Sequence, residues 1–285
     1  FASVFSAGGI GSTNAALVSC TLILGYFLLV NLMRTKKWIS RCVAALISSA
    51  CIVTLIGIFE FIFGSTSDSS WLDASFLGSI KLRIVSLFEN PNVLATYLVL
   101  VFPFVLATLI LAKNSRIRFL SFVVSALFVC AIVMTWTRGA WIAAAVAALI
   151  FFTIYSRKTL RIFGVIIVAA PMLPMLLPSS VVDRLISIVN LSDSSISYRI
   201  YTWIGSIRLI KENFLGGIGY GTDAFKAIYP QYAFAGIEAA EHSHSLFLQI
   251  LVAMGIGGLL TFLALVFLYF QKCAEYIKKP EDVRS

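Results

Sequence analysis

The stretch from Leu246 to Phe270 contains no charged side chain. It is one of seven apolar runs, at about 14–33, 42–63, 92–112, 117–136, 139–155, 162–178 and 246–270. Runs of about 20 apolar residues match the hydrocarbon thickness of a bilayer. Inside lipid every backbone N–H and C=O must find a partner within the protein, so only helices and closed barrels can cross. These runs are continuously apolar and do not alternate, which argues against a barrel. The expected fold is therefore all-α, a polytopic transmembrane helical bundle with about seven spans. Composition agrees: 60% of the residues are hydrophobic and 12% charged, where a soluble domain carries about 25% charged residues. The fifth and sixth runs are short for a 30 Å core, so their ends are loosely defined. The chain opens on Phe1 with no charged leader and no cleavage pattern, which reads as a protein whose N-terminal part precedes this sequence.

The charges left between the runs orient the bundle. Four basic clusters stand out: Arg34/Lys36/Lys37/Arg41, Lys113/Arg116/Arg118, Arg157/Lys158/Arg161 and Lys272/Lys278/Lys279/Arg284. If the chain alternates sides, all four fall on one face, and the positive-inside rule makes that face cytoplasmic. The loop 64–91, the turn near 137–139 and the long segment 179–245 then face outward. Three regions follow: a bundle over 1–178, an extracytoplasmic loop over 179–245, and a last helix with a cytoplasmic tail over 246–285. The formal net charge of +9 thus belongs largely to membrane topology, and no nucleic-acid partner is expected. Eight basic residues remain outside: Lys81, Arg83, Arg138, Arg184, Arg199, Arg208, Lys211 and Lys226. Topology disfavours cations there, and an anionic ligand at the outer surface would account for them.

The five cysteines (Cys20, Cys42, Cys51, Cys130, Cys273) lie in or beside apolar runs and show no CxxC spacing. Neither a disulfide framework nor a zinc site is indicated. Pro171, Pro174 and Pro178 predict a kinked sixth span.

Candidate chemistry lies in the outward segments. "TWTRGAW" places Arg138 between two apolar runs. It is either a turn cation flanked by the interfacial Trp136 and Trp141, or a guanidinium able to grip phosphate bidentately. "SYRIYTWIGSIRLIKENF" carries apolar residues at Ile200, Trp203/Ile204, Ile207 and Leu209/Ile210, predicting an amphipathic helix over 197–213 along the membrane surface or capping the bundle. Arg199 and Arg208 are two and a half turns apart and point to roughly opposite sides. A cation near a helix start, as at Arg199, opposes the macrodipole unless an anion is present. "GGIGYG" follows no buried strand and reads as a tight turn, not a nucleotide loop. In "ENPN", Asn90 or Asn92 can cap the third span with Pro91 in its first turn, and a polar contact to a sugar stays open.

"EHSHS" holds both histidines, His242 and His244. On a helix they would diverge by about 200° and could not share an ion, although an extended loop would let them, with Glu238 or Glu241 helping. No HExxH is present. A structural role, a metal site and a general base at the lip of a cavity all remain open on the residues alone.

"TWTRGAW", "SYRIYTWIGSIRLIKENFLGGIGYG" and "HSHSLFLQILVAMGIGGLL", in that order and sidedness, resemble the O-antigen ligase and polymerase superfamily of bacterial membrane glycosyltransferases. The family's histidine signature (His, then Asn, Ser or Gln, nine residues, then GxxG) reads here as His244, Ser245 and Gly255 to Gly258. Asn is the commoner residue where Ser245 stands. The resemblance covers about 120–270. It implies an undecaprenyl-diphosphate-linked glycan as donor, a lipid, glycan or protein hydroxyl as acceptor, and inverting transfer with neither cofactor nor metal, at the extracytoplasmic face of the bacterial cytoplasmic membrane. By the same resemblance Arg138 and Arg199 hold the diphosphate, His244 activates the acceptor, and His242 orients or binds. Arg208, Tyr198, Glu241, Asn90 and Arg83 are further candidates for substrate contact. Two cations suffice in principle, since a unit charge pair at ~4 Å contributes about 4 kcal/mol at an effective dielectric of ~20, before desolvation. A transporter or flippase of lipid-linked sugars is the competing expectation. It explains the outer cations and the kinked span, but not a histidine pair at a loop-to-helix junction, and neither repeated halves nor mid-membrane ionisable groups are evident.

Overall fold

The computed structural model describes residues 9–64, 83–156, 181–182 and 194–278. Its α-helices are α1 (Gly9–Leu32), α2 (Lys36–Phe63), α3 (Pro91–Leu111), α4 (Ser115–Met134), α5 (Arg138–Tyr155), α6 (Ser194–Glu212), α7 (Thr222–Ile228) and α8 (Leu246–Lys278). Six of these, α1 to α5 and α8, are long and apolar enough to cross a membrane. The chain is a multi-pass helical membrane protein. The sixth predicted run, 162–178 with its prolines, lies outside the described residues. So do Lys81, Arg184, the cluster 157–161 and the residues after 278.

The chain divides into two units, Asn31–Leu191 and Phe1–Val30 with Ser192–Ser285. In the first, local sequence sets each helix end. Thr35 caps α2, and Gly64 closes it in the left-handed region at φ 68° with its N–H on the Glu60 carbonyl. The Asn90 side chain accepts from the Asn92 N–H at 2.8 Å, with Pro91 as the first helical residue, as the sequence predicts. Asn114 caps α4 in the same way. The core joins Leu94, Leu98, Val101 and Val105 of α3 to Val124, Phe128 and Ala131 of α4 and Ala140 of α5. The faces turned away from it keep large apolar side chains exposed, among them Phe59, Ile62, Leu100, Phe119 and Phe122. In a bilayer such residues meet acyl chains of equal polarity and need no protein partner.

In the second unit α6, α7, the turn Tyr229–Gln231 and the start of α8 share a core of Leu209, Ile210, Ile218, Phe225, Tyr229 and Val252. Tyr229 stacks on Phe225, ring centroids 4.6 Å apart. It also lies where a side chain at Gly205 would stand, so the missing Cβ of Gly205 admits the ring. The amphipathic helix exists as α6, and only part of its apolar stripe meets protein. Thr202, Ser206, Leu209 and Ile210 are buried, whereas Ile200, Trp203, Ile204 and Ile207 remain exposed. The inward hydroxyls do not forfeit hydrogen bonds, because Thr202 Oγ1 donates to the Tyr198 carbonyl and Ser206 Oγ to that of Thr202, both at 2.8 Å.

The last helix extends beyond the predicted 246–270 and is interrupted. Gly255 adopts φ 67°, ψ −170° and splits α8 into 246–254 and 256–278. The second piece alone, at 1.5 Å per residue, is about 34 Å long and spans a bilayer core.

Candidate functional site

In the second unit the site is assembled at the entry to α8. His242, Ser243 and His244 occupy an irregular loop, so the helical divergence considered for the two histidines does not apply. Their rings lie 4.2 Å apart, centroid to centroid. Tyr198 on α6 meets His244 edge-on at 5.5 Å. Arg199, the next residue, stands close enough for its guanidinium to oppose a proton on His244. Glu241 pairs with Lys226 of α7 at 2.6 Å. Arg199, His242 and His244 are thus brought together, with Tyr198 and Glu241 beside them. Arg208 is not part of this group. It lies over the Phe234 ring, 4.3 Å from its centroid, as expected for a side chain on another face of α6.

The loop is held from beneath. Ser243 is fully buried, its N–H donates to Gln249 Oε1 at 2.8 Å, and its hydroxyl donates to the Ser245 carbonyl at 2.9 Å. The Ser245 carbonyl also accepts the Gln249 N–H at 2.8 Å. His244 itself sits at φ 52°, a left-handed conformation that disfavours side chains. Strain of this kind costs on the order of 1–3 kcal/mol and persists where surrounding contacts enforce it.

The electrostatics follow from the crowding. Burial of the His244 ring, then His242 and Arg199, lower its pKa from the usual 6.5 to about 4. The residue keeps solvent contact, so its neighbours' positive charge acts alongside burial to keep the imidazole neutral. Lys226, by hydrogen bond and by charge, holds the Glu241 carboxylate below its usual range. Burial and then the Glu241 charge raise the Tyr198 phenol. A neutral imidazole beside a guanidinium can accept a proton while the cation holds an anion.

What fixes the site to α8 is a backbone junction that the reading of "GGIGYG" as a turn does not include. The break at Gly255 frees helical carbonyls, and the segment after α6 uses them. Ile218 N–H donates to Val252 O at 2.8 Å, Gly219 N–H to Ala253 O at 3.1 Å, and Ile256 N–H to Phe214 O at 2.9 Å. Gly217 is at φ 69°, and a Cβ there would stand 2.5 Å from the Ala253 carbonyl group. A Cβ on Gly255 would collide with the Leu215 carbonyl. Two glycines therefore lock α6 to α8 backbone against backbone.

The other candidates lie in the first unit. Arg138 is the first residue of α5, following a turn in which Trp136 adopts φ 54°. Arg83 is only 7% exposed. Its Nε donates to the Thr135 carbonyl at 2.8 Å and its Nη2 to Thr137 Oγ1 at 3.2 Å. Asn92 Oδ1 accepts from Thr137 Oγ1 at 3.1 Å and, more weakly, from Arg83 Nη2 at 3.4 Å. This geometry makes Arg83 a brace for the turn that presents Arg138, while Asn90 serves as a helix cap. Glu60, inside α2, accepts the N–H groups of Val85 (3.2 Å) and Ser86 (2.8 Å) and anchors the same loop. Its mark in the sequence is a single carboxylate in an otherwise apolar run. Lys226, one of the eight outer cations for which the sequence suggests an anionic ligand, pairs instead with Glu241 of the protein itself, a partner that only the fold supplies. Among the described residues no group of three or more His, Cys, Asp or Glu is placed to hold a metal ion.

Residues 123–263 match the family model described as O-Antigen ligase. This range contains the Arg138 turn, the α6 helix, both histidines and the Gly255 break. No curated protein and no solved structure matches the chain.

Proposed function

The chain belongs to the O-antigen ligase and polymerase superfamily, and from that premise we propose that it transfers a glycan from undecaprenyl diphosphate to an acceptor hydroxyl. Membership makes it a membrane protein of O-antigen assembly that acts on lipid-linked glycans. The proposal rests on one observation: His242 and His244 lie ring against ring on a pinned, strained loop at the head of α8, and Arg199 of α6 acts electrostatically on His244. In this reading the protein lies in the bacterial cytoplasmic membrane with residues 179–245 as its extracytoplasmic catalytic loop.

Arg199 binds the diphosphate of the donor, and Arg138 is a second candidate for that role by resemblance to the family alone. Neutral His244 accepts the proton of the acceptor hydroxyl as its oxygen attacks the anomeric carbon from the opposite face. The C–O bond to the diphosphate breaks, and the bonding pair leaves with the phosphate oxygen. Negative charge grows on the leaving group in the transition state, and fixed guanidinium groups stabilise it there without solvent reorganisation. Inversion follows from a single displacement. The reaction as written uses arginines where a metal would otherwise neutralise the diphosphate. His242 orients His244. Tyr198 and Glu241 border the acceptor side. The acceptor is a sugar of lipid A core, a growing polysaccharide or a protein hydroxyl.

Donor affinity tests the arginine assignment. Arg138→Ala and Arg199→Ala should each weaken binding of undecaprenyl diphosphate-glycan by tenfold or more in nanodiscs, and wild-type affinity in either variant would remove that arginine from the donor site. The lipid-linked intermediate that accumulates on gene deletion identifies the acceptor class: long chains indicate a ligase and single repeats a polymerase.

A further inference from the structure

A cavity of about 410 Å³ opens at the far end of α6, lined by Glu212, Asn213, Gln231 and Tyr232, with Ile218 and Ile228 beside them. Its size falls in the range of small-ligand sites, roughly 300–1,000 Å³. Glu212 lies 13 residues after Arg199 on the same helix, about 20 Å away at 1.5 Å per residue. The cavity is therefore separate from the histidine cluster.

Its chemistry is also different. Glu212 brings a negative charge, which repels phosphate. The Tyr232 hydroxyl donates to Glu212 Oε2 and fixes that carboxylate, and the half-buried Tyr232 ring adds apolar surface. Asn213 Nδ2 donates to the Leu209 carbonyl at 3.1 Å, which sets the orientation of its amide. Gln231 is exposed, and its side chain makes no hydrogen bond among the described residues. A carboxylate that only accepts, amides that both donate and accept, and an aromatic ring match a neutral polyhydroxyl ligand, whose hydroxyls do both and whose C–H faces pack on rings. The walls are preformed, because Gly217 N–H is bonded to the Asn213 carbonyl at 2.9 Å, Ile218 N–H to the Val252 carbonyl of α8 at 2.8 Å, and Tyr232 N–H to the Tyr229 carbonyl at 2.9 Å.

We propose that the Glu212–Gln231–Tyr232 cavity binds an uncharged sugar of a glycan chain, several residues removed from the bond being made or broken. This rests on the glycan-transfer reading, and it adds a second glycan subsite on α6, apart from the histidine cluster. The sugar belongs either to the distal end of the donor or to the acceptor.

The probe is the carrier-free glycan released by mild acid from the cell's own lipid-linked intermediates, titrated against the full chain in nanodiscs. Gln231→Ala, which breaks no internal bond, and Glu212→Gln should each weaken glycan binding tenfold or more while leaving inorganic pyrophosphate binding unchanged. Arg199→Ala should do the reverse. Equal glycan affinity in wild type and both cavity variants overturns the proposal. Kinetics separate the two sources. A KM rise for full-length donor but not for a one-sugar donor assigns the cavity to the donor, and a KM rise for acceptor alone assigns it to the acceptor. Unchanged KM values in every arm overturn the proposal. His244→Ala must still bind the glycan, so loss of the catalytic reading through that variant leaves the subsite test intact.

Discussion

His244 combines two features that ordinary histidines lack, a left-handed backbone and a pKa of about 4. Both bear on catalysis. A base with so low a pKa is neutral throughout the physiological range, but it is intrinsically weak. In the proposed reaction a bound diphosphate would change that, because its negative charge opposes Arg199 and favours the imidazolium. kcat/KM reports the donor-free enzyme, so it should stay level through the range where an ordinary histidine titrates and fall only near pH 4. The acid limb of kcat should lie higher. Arg199→Ala removes a neighbouring cation, which makes protonation easier, so the kcat/KM limb should move up slightly while burial and His242 still hold it below 6.5. A wild-type limb near 6.5, or one that does not move in Arg199→Ala, contradicts this account of the site. The same shift has a stability counterpart. Between pH 6.5 and 4 the unfolded chain binds the proton that the folded chain refuses, so this contribution is present above 6.5 and is lost as pH falls toward 4.

At the scale of elements, the sequence was informative where the signal is local. Asn90 and Pro91 start α3 as their residue types dictate, and the runs at 14–33, 42–63, 92–112, 117–136 and 139–155 each became a helix. The inward face of α6 was not legible. Periodicity locates an apolar stripe on a helix, but it does not say whether the stripe meets protein. Here Thr202 and Ser206 turn inward because their hydroxyls bond back to the helix, and Ile200, Trp203 and Ile207 are left outside. The junction between residues 214–219 and 252–256 was equally hidden, since backbone pairing across such a separation leaves no periodic trace. Its glycines make it testable. Gly217→Ala and Gly255→Ala should lower transfer at least tenfold in protein that still inserts, because each places a Cβ into the opposing backbone at a positive φ. Gly216→Ala and Gly257→Ala, where a Cβ meets nothing within 4 Å, should behave as wild type. Equal activity across the four variants would show that the junction does not position the site.

For the whole molecule, hydropathy and charge clusters were enough to identify a polytopic bundle, because bilayer thickness and backbone satisfaction leave few alternatives. They also predict sides. In a cysteine-free background, a membrane-impermeant maleimide applied to intact cells without an outer-membrane barrier should label a cysteine at position 226 and not one at 113, and labelling at 113 would reverse the topology. The site itself was legible only as separate motifs. The fold adds the ring contact of His242 with His244, the electrostatic influence of Arg199 on His244, and the buried Arg83 behind the Arg138 turn. The central claim is that His244 takes the acceptor proton in glycan transfer from a lipid diphosphate, and a reconstituted assay with purified His244→Ala in nanodiscs tests it most directly. The account predicts that transfer falls a hundredfold or more while insertion and donor affinity stay at wild-type values. Transfer at or near the wild-type rate in that variant would contradict it.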